Sequence, residues 1–86
     1  MEVMFAKSYM KDLRGLPKYV IAAADDVADK LYAAKSLQES GVDYEKMKGE
    51  KNYYRIRIGD YRIIAKYIHP SVIMLMLGSR GDVYKK

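Results

Sequence analysis

Four cationic side chains on two consecutive β-rich runs form the pattern in this sequence with the clearest chemical meaning. The runs cover residues 53–58 and 61–67, and both show the period-two alternation of strands with one buried face. Gly59 and Asp60 separate the runs, and glycine at the first of two central positions suits a type II′ turn. The sequence therefore predicts a β-hairpin with a defined register.

A two-residue turn determines which residues of the two strands oppose each other. Counting outward from the turn, we predict these pairs: Ile58 with Tyr61, Arg57 with Arg62, Ile56 with Ile63, Arg55 with Ile64, Tyr54 with Ala65, and Tyr53 with Lys66. Opposed residues share a face of the sheet. One face is then apolar, and the other carries Arg55, Arg57, Arg62 and Lys66, with Tyr53 beside them.

This cationic face of the hairpin predicts an anion-binding surface. Like charges directly opposite each other destabilise a sheet, and the hairpin itself places no acidic residue on this face. Guanidinium groups bind phosphate or carboxylate oxygens through two hydrogen bonds at a time, so an anion would relieve the repulsion. The alternative is a solvated outer face whose arginines extend into water.

Composition limits the chain to one small basic domain, which we expect to cover residues 1–86. Its net charge is +5 and its pI is about 9.4, values that favour a polyanionic partner. The chain has no cysteine and one histidine, His69, in a predicted turn, so we expect no disulfide, no metal site and no cofactor. No apolar run approaches the ~18 residues of a membrane span and no signal peptide is recognisable, which predicts a cytoplasmic protein.

The elements that must position the hairpin are predicted from periodicity. Residues 1–5 read as a strand, and Ser8 is placed to cap a helix over residues 9–14. A second helix is expected from Pro17 to about Leu37, because apolar residues recur in it at three- and four-residue spacing. Residues 42–52 are predicted to be irregular. The continuous apolar run at residues 72–77 predicts a strand that is buried on both faces.

Together these elements predict an α+β fold. An N-terminal strand and a two-helix hairpin precede a three-stranded antiparallel meander, and the helices cover one face of the sheet. The helices must lie on the side of Ile56 and Ile63, which leaves the cationic side open to the tail after residue 77. Most tyrosines are expected in the core, namely Tyr19, Tyr32, Tyr54, Tyr61 and Tyr67, whereas Tyr53 shares the cationic face and is a candidate base-stacking platform.

Three segments resemble the RelE/ParE superfamily of toxin–antitoxin toxins. They are Met47-Lys48-Gly49, the run over residues 54–64, and Gly78-Ser79-Arg80-Gly81-Asp82-Val83-Tyr84. The resemblance covers essentially the whole chain in length and element order and is motif-specific over roughly the last forty residues. It implies a RelE-like fold, a cognate antitoxin as partner, and ribosome-dependent cleavage of messenger RNA, which is the activity of RelE-type members.

The resemblance also implies which residues act. Arg55 and Arg57 fall where RelE-type toxins place basic catalytic residues, and Arg62, Arg80 and Tyr84 match further catalytic positions. We expect Arg62 and Arg80 to clamp the scissile phosphate, and Arg55 and Arg57 to align it and favour loss of the 2′-OH proton. Tyr84 would either stack on a base or orient the scissile nucleotide. Candidate RNA-binding residues around them are Lys48, Lys51, Tyr53, Lys66, Lys85 and Lys86.

Two departures from the superfamily pattern keep other functions open. Some RelE-type toxins have lysine at the positions of Arg55 and Arg57, and many have histidine at the position of Ser79. Arginine effectively cannot lose a proton, so these substitutions remove a general base. One alternative is a ParE-like toxin, which is similar in fold but inhibits DNA gyrase. Another is a catalytically silent relative that binds an antitoxin.

Overall fold

The computed structural model describes residues 1–79, which form a five-stranded sheet and two helices. The elements in chain order are β1 (Glu2–Phe5), α1 (Lys7–Arg14), α2 (Lys18–Ala33), β2 (Tyr44–Lys46), β3 (Tyr53–Ile58), β4 (Tyr61–Ile68) and β5 (Ser71–Ser79). The strand order across the sheet is β1-β5-β4-β3-β2, with β1 parallel to β5 and the other neighbours antiparallel. The predicted α+β architecture is confirmed.

The register of the β3–β4 hairpin is as predicted at every position. The Cα partners include Arg57 with Arg62 and Arg55 with Ile64, and the series ends at Tyr53 with Lys66. Gly59 has a φ of 62°, the left-handed conformation that a type II′ turn requires at its first central residue. The turn chemistry alone therefore determines which side chains share the cationic face.

Strand β2 corrects the prediction that residues 42–52 are irregular. Its three residues pair antiparallel with β3, with Glu45 opposite Arg55. The backbone N–H of Arg57 also donates to the Asp43 carbonyl at 2.8 Å, which extends the pairing beyond the strand itself. Three residues are too few to show a reliable period, so sequence patterning missed this strand. The antiparallel meander consequently has one more strand than predicted.

Both helices differ from prediction at one end. Helix α1 begins at Lys7 after Ala6, and the Ser8 hydroxyl does not cap it but donates to the Leu75 carbonyl of β5. Helix α2 ends at Ala33, because Ala34 adopts an extended backbone conformation. Leu37 lies beyond the helix, in the turn that follows it, and is buried in the core. Periodicity thus placed the end of this helix about four residues too late.

The core lies between the helices and the sheet face that carries Ile56 and Ile63, as predicted. Both isoleucines are fully buried, and they belong to one cluster with Ala24, Val27 and Leu31 of α2. Burying an isoleucine or leucine side chain contributes about 1.5–3 kcal/mol. Tyr19 and Tyr32 were predicted to be in this core, and that prediction is wrong because each is 72% exposed. Tyr54, Tyr61 and Tyr67 do pack against the cluster.

Strand β5 is buried mainly on its helix-facing side. Val72, Met74 and Leu77 are buried, whereas Ile73 and Met76 are only partly covered, so the expectation of burial on both faces is wrong. The pairing with β4 shifts between Ile64 and Ala65, and this shift skips Leu75. The apolar run therefore includes residues that reach the open side of the sheet.

Helix α1 takes the place of a neighbouring strand where β1 stops. Strand β1 pairs with β5 as far as Met74. Beyond that point Ser8 donates to the Leu75 carbonyl, and the Leu77 N–H donates to the Asp12 carboxylate at 3.0 Å. Ser8 and Asp12, one helical turn apart, thus provide hydrogen-bond partners for backbone groups of β5 that would otherwise be exposed to water at an edge of the sheet.

Among residues 1–79, no helix is long and apolar enough to cross a membrane. The same part of the chain contains no group of three or more His, Cys, Asp or Glu residues that could hold a metal ion.

Candidate nucleic-acid interface

The sheet face opposite the helices, called the open face here, carries two rows of side chains across β2, β3, β4 and β5. The first row consists of Asp43, Arg57, Arg62 and Gly78, and the second consists of Glu45, Arg55, Ile64 and Met76. Each row thus begins with a carboxylate and continues with an arginine. Gly78, the Cα partner of Arg62, brings no side chain to this row.

Two arginines of the open face form ion pairs with the edge strand region. Arg57 Nη2 lies 2.8 Å from Asp43 Oδ1, and Arg55 Nη2 lies 3.2 Å from Glu45 Oε1. The hairpin itself lacks acidic residues on this face, as the sequence indicated, but the unpredicted β2 region supplies them. The repulsion among the arginines is therefore partly neutralised within the protein, and an external anion is not required to explain the cluster.

Arg62 is held by the turn that precedes its strand. Its Nη1 donates to the Gly59 carbonyl at 3.0 Å and to the Tyr61 carbonyl at 2.9 Å. Its Nε is buried and has no hydrogen-bond partner among residues 1–79. A buried donor without an acceptor costs about 1–3 kcal/mol, more for a charged group. Arg62 is thus oriented by the backbone and retains a donor for an acceptor from elsewhere.

The remaining predicted RNA-binding residues within the described range fall into two groups. Lys66 lies on the open face, and its Nζ is 6.0 Å from the centroid of the Tyr53 ring. Lys48 and Lys51 are exposed in the β2–β3 connection, at the opposite end of the hairpin from Arg57. Lys51 lies in the turn before β3, and the four residue steps of β3 from Tyr53 to Arg57 alone span about 13 Å. The structure therefore does not bring these two lysines to the arginines.

Four predicted site residues lie outside the described residues: Arg80, Tyr84, Lys85 and Lys86.

Asp43 and Glu45 are the residues of this site that sequence reasoning missed. Their two-residue spacing matches that of Arg55 and Arg57, and opposite charges at matching spacing are typical of cross-strand pairs. That signal was present in the sequence. The matching spacing predicts these ion pairs only once the short strand β2 is known to be the neighbour of β3.

The chemistry available on the open face is fixed positive charge. Arginine has a pKa too high for it to act as a base in proteins, so the cluster orients and stabilises anions without taking protons from them. The pKa of Tyr9 is raised to about 12, mainly by burial and also by the charge of Asp25. Tyr9 belongs to the core under the sheet, so its phenol takes no part in the open face.

The fold and this face together define a small basic α+β protein whose sheet presents arginines on its uncovered side. Residues 3–84 match the family described as the ParE toxin of type II toxin–antitoxin systems, parDE, and the chain belongs to that family. It is 33% identical over 84 residues to toxin RelE3 of Methanocaldococcus jannaschii, an alignment that covers 98% of this chain and 96% of that protein. The protein is therefore a toxin of the RelE/ParE superfamily.

Solved structures of RelE proteins share the fold. The RelB–RelE antitoxin–toxin complex from Methanococcus jannaschii matches with a TM-score of 0.84 and 30% identity over 95% of each chain. The archaeal RelE–RelB complex from Pyrococcus horikoshii OT3 matches with a TM-score of 0.72 and 30% identity over 93% of this chain and 94% of that one. YafQ from E. coli has a TM-score of 0.77 at 11% identity, over 96% of this chain and 97% of its own, and shows the fold alone.

Proposed function

We propose that this toxin is a ribosome-dependent endoribonuclease that cuts messenger RNA and so inhibits translation. The observation that supports the proposal most directly is the placement of Arg55, Arg57 and Arg62 on one open face of the sheet. These are positions at which RelE-type toxins carry catalytic basic residues. The similarity to toxin RelE3 supports the same assignment.

The proposed reaction is transfer of the phosphate to the neighbouring ribose oxygen. The 2′-oxygen attacks phosphorus and its proton passes to solvent, while the bond from phosphorus to the 5′-oxygen of the next nucleotide breaks and that oxygen takes a proton from solvent. The products are a 2′,3′-cyclic phosphate and a 5′-hydroxyl. Negative charge grows on the phosphoryl oxygens in the transition state, and preorganised guanidinium groups stabilise it. Arg62, already oriented by two carbonyls, is the residue that we expect to contribute most.

The other proposed roles surround this centre. Arg55 and Arg57 align the phosphate, and Arg80 and Tyr84 complete the catalytic set by resemblance. Tyr53 and Lys66 offer an aromatic ring and a cation on the open face for a neighbouring nucleotide. The remaining lysines contribute to RNA attraction over a longer range, namely Lys48, Lys51, Lys85 and Lys86.

We further propose a cognate antitoxin as the protein partner. The solved RelE structures from Methanococcus jannaschii and Pyrococcus horikoshii OT3 are complexes with RelB proteins, which supports this partner. The proposal places both proteins in the cytoplasm, where the ribosome carries the messenger RNA, and treats residues 1–86 as one toxin domain without metal or cofactor.

Primer extension on a messenger RNA in a purified translation system tests the nuclease. The wild-type protein should produce cuts inside codons only when ribosomes are present. Arg62→Ala should lower the cleavage rate by about a hundredfold or more, the scale for removing one preorganised donor. Arg14→Ala, on the exposed side of α1, removes the same charge away from the open face and should retain full cleavage. Equal loss in both variants would contradict a role for the open face.

A ParE-like gyrase inhibitor is the second candidate, and the family match to ParE toxins favours it. A folded wild type that leaves messenger RNA intact on ribosomes and blocks gyrase-dependent supercoiling would establish this alternative. Inactivity in both assays together with antitoxin binding would indicate the third candidate, a catalytically silent relative. Ser79, at the position of the histidine found in many relatives, supports that third reading.

A further inference from the structure

We propose that the Asp43 carboxylate occupies the place of a phosphate at Arg57. A phosphate of RNA then binds the Arg57 guanidinium by displacing this carboxylate. The inference rests on the proposed RNA-cleaving function and assigns Asp43 as a residue that tunes the affinity of the site. It follows from the geometry of the first row on the open face, where Asp43 precedes Arg57 and Arg62.

The Asp43 carboxylate already makes the contact that a phosphate oxygen would make. Its Oδ1 lies 2.8 Å from Nη2 of Arg57, the usual distance of a charge-assisted hydrogen bond. The backbone of the two residues is also joined, because the Arg57 N–H donates to the Asp43 carbonyl at 2.8 Å. The backbone bond anchors Asp43, so an incoming phosphate needs only to rotate the carboxylate away.

Exposure makes this ion pair the exchangeable one of the two. The side chains of Arg57 and Asp43 are 44% and 60% exposed, whereas those of Arg55 and Glu45 are 20% and 45% exposed and lie 3.2 Å apart. Exposed ion pairs contribute little net free energy and are screened by salt. A phosphate presents more oxygens to the guanidinium than the single Asp43 oxygen in contact, and it can replace that oxygen. Arg55 stays with Glu45 and serves as the fixed cation of the second row.

The Asp43–Arg57 pair also sets how strongly binding depends on salt. Binding of single-stranded nucleic acid releases counterions in proportion to the phosphates that protein cations neutralise, with a slope of about −0.7 per contact in log K against log salt. Arg57 is already neutralised by Asp43 in the free protein. Its contact with a phosphate should therefore add little to the slope until Asp43 is removed.

The test measures binding of a fluorescent 2′-O-methyl hexaribonucleotide, which lacks the nucleophile for cleavage, by anisotropy across a series of KCl concentrations. Asp43→Asn should bind about two- to fivefold more tightly than wild type at low salt, the range set by exposed ion pairs. Its slope in log K against log salt should be steeper by about 0.7. Asp43→Glu should return both quantities toward wild type. Asp43→Ser removes the carboxylate by another route if the asparagine variant does not fold.

Two controls separate a local exchange from a general change in net charge. Asp29→Asn removes one negative charge from the exposed side of α2, on the other side of the sheet, and should change neither affinity nor slope by as much. In an Arg57→Gln background, Asp43→Asn should have no effect on the slope. An equal effect of Asp43→Asn with and without Arg57, or an affinity no higher than that of Asp29→Asn, would overturn the proposal.

The binding experiments test the proposed exchange at Asp43 separately from the proposed nuclease activity. Oligonucleotide binding requires no ribosome and no cleavage, so a wild type that binds but does not cut RNA refutes the nuclease alone. A wild type that cuts RNA while Asp43→Asn binds like wild type refutes the Asp43 exchange alone. Failure of both wild type and Asp43→Asn to bind the oligonucleotide also overturns the exchange.

Discussion

Arg57 and Arg62 are Cα partners across the β3–β4 hairpin, and their side chains lie on the same open face of the sheet. Like charges in this arrangement destabilise a sheet unless other groups compensate them. Each guanidinium is compensated differently: Arg57 by the Asp43 carboxylate and Arg62 by two carbonyls of the turn. The pair is thus held in place by its surroundings, with Arg57 paired to a carboxylate and Arg62 hydrogen-bonded to two backbone carbonyls.

This arrangement predicts that inorganic phosphate stabilises the folded protein. Phosphate at about ten times its dissociation constant should add about 1.4 kcal/mol to the free energy of unfolding, which is about 6–11 °C in Tm for a domain of this size. The Arg57→Gln/Arg62→Gln double variant should lose most of that shift. The measurement is a thermal melt in phosphate against chloride at matched ionic strength.

The control for the phosphate effect is Lys11→Gln/Arg14→Gln, which removes the same charge from exposed positions of α1. It should retain the wild-type shift in Tm. Equal phosphate shifts in both double variants would show that the anion responds to net charge and does not bind at the open face.

The turn that orients Arg62 should be sensitive to substitution at Gly59. Its φ of 62° is costly for a residue with a Cβ atom, and most of all for a β-branched one. Gly59→Val should lower the free energy of unfolding by about 1–2 kcal/mol, and Gly59→Asn by less. Urea denaturation measures both. Gly15→Ala is the matched control, because a Cβ there meets no atom closer than the Asp12 carbonyl at 4.0 Å and φ is negative. A valine variant as stable as the alanine control would contradict the turn assignment.

The hairpin and the face that carries its arginines were predictable from sequence. A two-residue turn and the period of two along each strand determine every cross-strand pair, from Ile58 with Tyr61 to Tyr53 with Lys66. The partners of those arginines were not predictable. Asp43 and Glu45 come from a three-residue strand, and its place beside β3 depends on the tertiary fold, which no local period records. The core position of Ile56 and Ile63 followed from the same alternation. The exposure of Tyr19 and Tyr32 could not be predicted in this way, because the type of a residue does not show which side of a helix contacts the sheet.

Helix α1 should contribute to stability through its contact with the edge of β5. The Asp12 carboxylate accepts a hydrogen bond from the Leu77 N–H at 3.0 Å in a partly buried position. Asp12→Ala leaves that donor without its acceptor and should lower the free energy of unfolding by about 1–3 kcal/mol. Amide hydrogen exchange at Leu77 should accelerate in the variant. Asp29→Ala, at an exposed position of α2, should leave both measurements near wild type, and unchanged exchange at Leu77 in Asp12→Ala would disprove the bond.

Tyr9 should make the protein lose stability in alkaline solution. Burial, with a smaller effect from Asp25, raises the pKa of its phenol to about 12 from an ordinary value of 10.0. Between these two pH values the unfolded chain loses the phenolic proton while the folded chain keeps it. The unfolded state then binds fewer protons, so the free energy of unfolding falls as pH rises. The contribution is complete below pH 10 and lost by pH 12, and a difference of two pKa units corresponds to about 2–3 kcal/mol.

Replacing Tyr9 by phenylalanine removes the titrating group while the ring stays in the core. Tyr9→Phe should therefore show a flatter decline in the free energy of unfolding between pH 10 and pH 12 than wild type, as measured by urea denaturation at each pH. Tyr19→Phe, at a position 72% exposed, should decline like wild type because its hydroxyl meets water in both states. Parallel declines in Tyr9→Phe and Tyr19→Phe would mean that the Tyr9 phenol ionises as readily in the folded protein as in the unfolded chain, and would contradict the raised pKa.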